Sequence, residues 1–375
     1  MAETTLAASS QNSPLNRLLL ALRLDPPLMF GVAAICAVGM LALYSSGGQS
    51  LSLLTQQGVR LALGLGAMLV VAQIPPRNLW LLTPWAYIGG IALLVWVLVD
   101  GAVSGGAQRW LDLGLVRVQP SEAMKLAVPM MVAWYLGDRA MPPSLQRVFA
   151  ALVLAAIPVL LIARQPDLGT AVLVASAGCF VLFLAGIGWR LIGTMAAVTA
   201  AAVPVIWHFM ADYQRQRVLT FFHPESDPLG SGYHIIQSKI AIGSGGLYGK
   251  GWLNGTQSHL DFLPERSTDF IFAVFGEEFG FFGGVLLLLL YLFVVARGLY
   301  IATQAPDAYG RLLAGSLSLT FFVYVLVNIG MVTGLLPVVG LPLPLVSYGG
   351  TSMVTLLCGF GIIMSVHSRK RLLAP

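Results

Sequence analysis

An all-α polytopic membrane protein is the fold class that this sequence predicts, and two observations carry the prediction. Hydrophobic residues make up 57% of the 375 positions and charged residues only 10%, whereas an ordinary soluble domain has about 45–50% and about 25%. Long apolar runs also recur from one end of the chain to the other. These runs lack the two-residue alternation of a membrane barrel, so they are predicted to be helices.

Ten of these runs approach the roughly 20 residues that a helix needs to cross about 30 Å of hydrocarbon. In chain order, the predicted spans are 27–46, 57–75, 79–100, 120–137, 147–163, 168–187, 189–209, 269–297, 309–335 and 345–367. The first run is too long for a signal-peptide core, so we expect it to remain as an anchor. The chain is therefore predicted to hold a tail at 1–26, a single membrane domain at 27–368 and a second tail at 369–375.

The distribution of Lys and Arg predicts the orientation, because short cytoplasmic loops carry an excess of both residues. With the amino terminus inside, the cytoplasmic set is Arg17, Arg23, Arg77, Arg139, Arg147, Arg190, Arg297, Arg311, Arg369, Lys370 and Arg371. The short outer loops hold only Arg60, Arg109, Arg117 and Arg164, with Lys125 just inside a helix. Both termini are then expected in the cytoplasm.

One connection, residues 210–268, is far longer than the usual loop and is predicted to lie outside. It contains Phe221, Ile235 and Trp252 and is too apolar for a disordered segment, so we expect it to fold back on the membrane surface. Residues 233–242 are predicted to form a short surface or re-entrant helix, followed by a glycine-rich stretch.

Several functional classes are disfavoured. The basic residues form no aromatic-interleaved patch, so the net charge of +5 indicates topology and not nucleic-acid binding. The chain has no phosphate-binding Gly-x-x-x-x-Gly-Lys loop, no His-Glu-x-x-His motif and no Gly-x-Ser-x-Gly elbow. Cys36, Cys179 and Cys358 lie singly inside apolar runs and are expected to be inert.

Ionisable residues inside a membrane protein are costly and indicate candidate sites. Glu122 and Lys125 are three residues apart and can pair on one helical face. Either the pair is structural, with Ser121 as helix cap, or Lys125 and Arg109 line a polar cavity for an anionic headgroup. Asp167 has the same two interpretations, a cap of the following helix or a functional group.

The long loop adds charges of both signs. Its cations bind lipid headgroups or hold a pyrophosphate; they are Arg215, Arg217, Lys239, Lys250 and Arg266. Asp261, Glu265 and Asp269 lie within nine residues, and Asp269 stands where the loop enters the eighth span. It is either a helix cap or a partly desolvated carboxylate suited to general-base catalysis. Glu277 and Glu278, deeper in that span, are expected to be paired inside the bundle.

The segment Gly255–Gly280, with Phe262-Leu-Pro-Glu-Arg-Ser-Thr-Asp-Phe270, resembles the SEDS (shape, elongation, division and sporulation) family. The residues of this motif are more similar to those of the elongation branch than to those of the division branch. Further resemblances follow in family order along nearly the whole chain: Gly106–Gly114, Gln119–Glu122 with Lys125, Gln165–Thr170, Ser238–Gly246 and Leu341–Ser352. One departure is Ser267, where the family usually has His before Thr-Asp.

The resemblance implies a ten-span peptidoglycan glycosyltransferase that polymerises lipid II into glycan strands at the outer face of the bacterial cytoplasmic membrane. Asp269 matches the family's catalytic aspartate. The partners implied are lipid II, the growing glycan chain, a class B penicillin-binding protein and other elongation-complex membrane proteins; a divalent cation, Mg or Mn, is implied as cofactor. The candidate substrate-binding residues are Arg109, Trp110, Glu122, Lys125, Asp167, Arg215, Arg217, Lys239, Glu265 and Ser352.

Three other functions stay open at this stage. They are a lipid II flippase, a division-specific polymerase and a scaffold for the cell-wall machinery. A flippase needs polar groups through the whole depth of the membrane, whereas this sequence concentrates them at the predicted outer face.

Overall fold

The computed structural model describes residues 24–104, 107–112, 114, 117–210, 212–227, 230–259 and 265–372. These residues form a bundle of long helices with one small sheet. In chain order the elements are α1 (Pro26–Ser46), α2 (Leu51–Gln73), α3 (Pro76–Asp100), β1 (Ala102–Ser104), β2 (Ala107–Asp112), β3 (Arg117–Val118), α4 (Pro120–Gly137), α5 (Leu145–Arg164), α6 (Leu168–Leu184), α7 (Trp189–Phe209), α8 (Asp212–Phe222), a 3-10 turn (Pro224–Ser226), α9 (Ser231–Gly245), α10 (Thr256–His259), α11 (Ile271–Thr303), α12 (Ala308–Val332) and α13 (Thr351–Leu372).

Each of the ten predicted spans corresponds to a helix, α1 to α7 and α11 to α13. Among the described residues, seven of them are long and apolar enough to cross a membrane. The apolar stretches of α6 and α7 are shorter, and α4 carries Glu122 and Lys125. The chain is thus a mostly helical, multi-pass membrane protein.

Because each span reverses the direction of the chain, the bundle has two ends. At one end the last residue of α1 meets the approach to α11, where Ser46 Oγ lies 3.3 Å from Ser267 Oγ. At the other end Arg297 Nη2 lies 2.7 Å from Asp25 Oδ2, just before α1. His367 Nε2, near the end of α13, also lies 3.5 Å from Asp25 Oδ2. The first described helix therefore begins, and the last one ends, at the same end of the bundle.

The eighth span differs from the prediction because α11 is interrupted at Gly280, with φ 65° and ψ −164°. The glycine-rich segment 246–251 runs beside this interruption and bonds to it: Phe281 N donates to Gly246 O at 2.9 Å, and Lys250 N donates to Glu277 O at 3.0 Å. A Cβ on Gly280 would lie 2.3 Å from Gly249 N. Only glycine allows this backbone conformation and this close approach.

Part of the long loop packs on the helix bundle, whereas its predicted position on the membrane surface stays a prediction. The helix expected at 233–242 is present as α9, and Ser238 Oγ donates to Val332 O at 2.8 Å, which joins α9 to the end of α12. Ile235 and Ala241 on α9 are buried. Asp261 and residues 262–264 lie outside the described residues.

The small antiparallel sheet, with strand order β1-β2-β3, was not predicted. Its strands are two to six residues long, too short to give a clear alternation in the sequence. The sheet follows α3 and leads into α4 through the Gln119-Pro120 step, where Pro120 stands in the first turn with its φ already set for a helix. This arrangement carries Arg109 and Trp110 on β2 to the end of the bundle where Asp269 lies.

Candidate functional site

Asp269 lies in the turn 265–270, directly before α11 and outside its membrane-spanning helix. The prediction that it could cap this helix is wrong, because Phe270 occupies the cap position and no side chain caps α11. Gly340 lies beside the carboxylate, and a Cβ there would be in ordinary van der Waals contact with Asp269 Oδ2, at 3.6 Å. The Asp269 side chain is therefore available for a role other than capping.

The surroundings of Asp269 raise its affinity for a proton. Burial is the largest cause and the charge of Glu265 adds to it, while Arg217 acts in the opposite direction, and together they raise the pKa of Asp269 to about 6. A carboxylate with this pKa is ionised at neutral pH and still basic enough to accept a proton from a hydroxyl group. These are the properties of a general base.

A buried ion pair lies on α4, as predicted. Lys125 Nζ is 2.7 Å from Glu122 Oε1, and the two side chains are only 5% and 8% exposed. Among the described residues, the second carboxylate oxygen of Glu122 is buried without a hydrogen-bond partner. Ser121 does not cap the helix, because Gln119 holds the cap position and the buried Ser121 hydroxyl has no partner in the described part of the chain.

Asp167 links the start of α4, the helix of the Glu122–Lys125 pair, to the start of α6. Its Oδ1 accepts from Thr170 N at 3.2 Å, which confirms it as the cap of α6. Its Oδ2 accepts from Gln119 Nε2 at 3.0 Å, at the start of α4. Arg109 Nε donates to Gln165 O at 3.3 Å and its Nη2 donates to Pro166 O, so that the sheet is fastened to the same turn.

Tyr324 lies against Lys125 of this pair and was missed in the sequence. It is fully buried on α12, and Lys125 Nζ lies 4.6 Å from its ring centroid. Lys125, Glu122, Asp269 and the side chain of Ser352 all interact electrostatically with its hydroxyl group. A single tyrosine inside an apolar run gives no signal that separates it from a core residue.

The cations of the long loop divide into two groups. Arg217 on α8 acts on Asp269 directly, and Lys239 on α9 lies against Gly334, at the end of α12. Arg215 instead donates to Trp207 O at 3.0 Å and His208 O at 2.5 Å, near the end of α7. Lys250 is 2.7 Å from Glu277 Oε1. Arg215 and Lys250 thus have partners away from Asp269, and a pyrophosphate role for them stays a prediction.

Glu277 organises the glycine-rich part of the loop. Its buried carboxylate accepts hydrogen bonds from Lys250 Nζ at 2.7 Å, Thr256 N at 2.9 Å and Gln257 N at 3.1 Å. Glu278 accepts a bond from Ser45. Both acids have partners inside the bundle, as predicted, and Glu277 holds residues 250–257, the end of the loop segment that runs beside the α11 interruption.

Replacing Glu277 by glutamine is expected to lower the free energy of unfolding by about 1.5–3 kcal/mol, because the charged bond to Lys250 is lost. The measurement is the thermal unfolding midpoint in detergent, together with limited proteolysis between residues 246 and 257. Glu225→Gln, at an exposed position in the 3-10 turn, is the control. Equal midpoints for the two variants would contradict the assignment.

Comparison with known proteins places these features in a family. Residues 17–372 match the FtsW/RodA/SpoVE family of cell cycle proteins. The chain is 56% identical to peptidoglycan glycosyltransferase MrdB of Escherichia coli K12 over 352 residues, 94% of this chain and 95% of that protein. It is 38% identical to a probable peptidoglycan glycosyltransferase FtsW of Escherichia coli O6:H1 over 360 residues, 92% of this chain and 85% of that protein. A solved peptidoglycan synthase complex, described as coordinating polymerization and crosslinking, contains a chain with 36% identity and a TM-score of 0.81 over 93% of this chain and 99% of that chain.

Proposed function

The chain belongs to the FtsW/RodA/SpoVE family and is a peptidoglycan glycosyltransferase, and we propose that it polymerises lipid II with Asp269 as the general base. The observation that carries the proposal is the half-buried carboxylate at the start of α11, which caps no helix and whose pKa is raised to about 6. The reaction takes place at the outer face of the cytoplasmic membrane.

The chemistry needs one proton acceptor and one electrostatic partner for the leaving group. The 4-hydroxyl oxygen of the acceptor sugar bonds to the anomeric carbon of the donor, while the bond from that carbon to the pyrophosphate oxygen breaks. Asp269 accepts the hydroxyl proton, and undecaprenyl pyrophosphate leaves with the bonding electron pair. A single displacement of this kind inverts the anomeric centre.

Arg217 is the cation best placed to stabilise the departing pyrophosphate, because it acts on Asp269. Lys239, which is exposed on α9, provides a second positive charge. Lys125 is paired with the buried Glu122, and Arg109 donates to the main chain directly before Asp167. We assign Arg109 and Lys125 to binding of the lipid headgroup.

The divalent cation implied by the resemblance stays a prediction. Within the described part of the chain, no three His, Cys, Asp or Glu side chains come together as a ligand set, and the Glu122 carboxylate is already paired with Lys125.

The cellular role follows from the relative similarities. Identity is 56% to MrdB and 38% to FtsW, which supports elongation and shape maintenance over division. The similarity to a chain of a complex that couples polymerization and crosslinking supports a class B penicillin-binding protein as partner. The Lys and Arg distribution supports cytoplasmic termini, which place Asp269 outside.

Polymerisation should fall at acid pH as Asp269 becomes protonated. The base is active when deprotonated, so the rate is expected to decline as the pH falls through about 6, the pKa of Asp269. Arg217→Gln removes a charge that lowers this pKa and should move the decline to higher pH. Arg215→Gln, whose side chain bonds to carbonyls near the end of α7, should leave its position unchanged. A pH–rate profile with the same midpoint in wild type and Arg217→Gln would be evidence against this electrostatic arrangement.

The test of the function itself is polymer formation from labelled lipid II by the purified protein in liposomes, with any glycosyltransferase activity of the partner excluded. Glycan strands without net movement of lipid II across the bilayer would support the polymerase. Movement of lipid II with no polymer would favour the flippase.

A further inference from the structure

The turn that carries Asp269 is held by three donors from one region of the chain. Three consecutive carbonyl groups accept them: Ser267 O accepts from Tyr348 N at 2.8 Å, Thr268 O from Ser347 Oγ at 2.5 Å, and Asp269 O from Asn328 Nδ2 at 2.8 Å. We call Asn328, Ser347 and Tyr348 the carbonyl clamp. All three donors belong to α12 or to its connection to α13.

Asn328 contributes twice to this arrangement. The same Nδ2 atom also donates to Leu341 O at 2.6 Å, so that one amide group joins the main chain of Asp269 to the segment after Gly340. Asn328 is fully buried, and its Oδ1 has no hydrogen-bond partner among the described residues. Leaving this acceptor buried and unpaired costs about 1–3 kcal/mol. The two bonds that Nδ2 donates hold the side chain in this orientation in spite of that cost.

Neighbouring contacts make the clamp rigid. Ser347 Oγ accepts from Leu343 N at 2.7 Å while it donates to Thr268 O. The ring of His234, on α9, stacks on Phe270 at a centroid distance of 5.4 Å. The turn is therefore fixed by main-chain and side-chain contacts, whereas the Asp269 carboxylate itself is left without a hydrogen bond from any described residue.

We propose that Asn328 is a positioning residue for Asp269: with Ser347, it fixes the main chain of the turn so that the carboxylate is held against Gly340 and facing its reaction partner. This inference rests on the proposed role of Asp269 as general base. It differs from a simple structural role, because a misplaced base loses rate without losing substrate binding. A displacement of about 1 Å can cost about 10²-fold in rate.

The pKa of Asp269 provides a second measurable consequence of the positioning role. Glu265 in the same turn raises the pKa of Asp269, and Arg217 on α8 lowers it. A turn released from the clamp would bring the carboxylate into fuller contact with water. Its pKa would then move down toward the ordinary carboxyl value.

The test compares Asn328→Ala and Ser347→Ala with Ser316→Ala. Ser316 is also on α12 and donates one buried bond to a main-chain carbonyl, Ala177 O at 2.7 Å, but it lies three turns from Asn328. In lipid II polymerisation we expect the two clamp variants to lose about 10–100-fold in kcat with little change in KM. The acid decline of their kcat should move to lower pH. Ser316→Ala should keep the wild-type kcat and pH profile.

Wild-type kcat in both clamp variants would overturn the proposal. So would a loss of activity that follows the loss of thermal stability with the pH profile unchanged, since that is the result of a purely structural role. If Asn328→Ala fails to fold, Ser347→Ala decides the question. Asp269→Asn is included in the same series: activity in that variant would reject the general base itself, whereas its inactivity beside fully active clamp variants would reject only the positioning role.

Discussion

Replacing Asp269 by asparagine is expected to lower the rate of lipid II polymerisation by about 10²–10⁴-fold, the usual loss when a general base is removed. Asparagine has almost the same shape as aspartate, so the turn and its three carbonyl contacts are retained. What is lost is the group that accepts the proton of the acceptor hydroxyl. The measurement is glycan-strand formation by the purified variant, normalised to the amount of folded protein.

The thermal stability of this variant should not fall. Burial raises the pKa of Asp269 from an ordinary value of 3.8 to about 6, so the folded protein binds this proton more tightly than the unfolded chain does. The contribution of Asp269 to stability is therefore greatest at acid pH and is lost as the pH rises from about 4 to about 6. At neutral pH the asparagine variant should unfold at the same temperature as wild type or at a higher one.

Asp112→Asn is the matched control, since Asp112 is an exposed carboxylate at the same end of the bundle, 3.2 Å from Arg117. Its rate should stay within a few-fold of wild type, because exposed pairs contribute little. Full activity of Asp269→Asn would reject the proposed base. A glycan covalently attached to Asp269 after incubation with donor alone would instead show that the aspartate is a nucleophile, and the product would then retain the anomeric configuration.

The helices could be predicted because every span must be apolar and roughly 20 residues long to cross the hydrocarbon. Hydrophobicity and length alone located α1 to α7 and α11 to α13, even where Glu122 and Lys125 interrupt α4. The interruption of α11 at Gly280 could not be found in this way. It depends on the backbone of residues 246–251 approaching α11, and a run such as Phe279-Gly-Phe-Phe-Gly-Gly284 does not show which glycine adopts a positive φ.

The site was predictable as a set of residues but not as an arrangement. Asp269, Glu122, Lys125 and Asp167 stand out because charges are rare in apolar runs. Tyr324 and Asn328 do not, because a neutral polar residue inside a span is compatible with packing alone. Arg215 and Arg217, two residues apart with the same charge, have different partners, and only the structure distinguishes them.

Breaking the buried ion pair should have the largest effect on stability. Lys125→Met leaves the Glu122 carboxylate buried without its cation, and loss of one partner from such a pair costs about 3–5 kcal/mol. Glu122→Gln likewise leaves the Lys125 ammonium group buried without its anion. Thermal unfolding in detergent should show both single variants well below wild type.

The double variant Glu122→Gln with Lys125→Met separates the two interpretations of the pair. It leaves no unpaired charge, and replacement of a buried pair by uncharged groups is often neutral for stability, so its unfolding midpoint should return toward that of wild type. If the pair is only structural, polymerisation should return with it. We expect polymerisation to remain low, because the double variant removes the Lys125 cation beside Tyr324, 4.6 Å from the ring centroid, that we assign to binding of the anionic headgroup. A stable double variant with wild-type polymerisation would instead assign Lys125 to the fold, and headgroup binding would then depend on Arg109, Arg217 and Lys239.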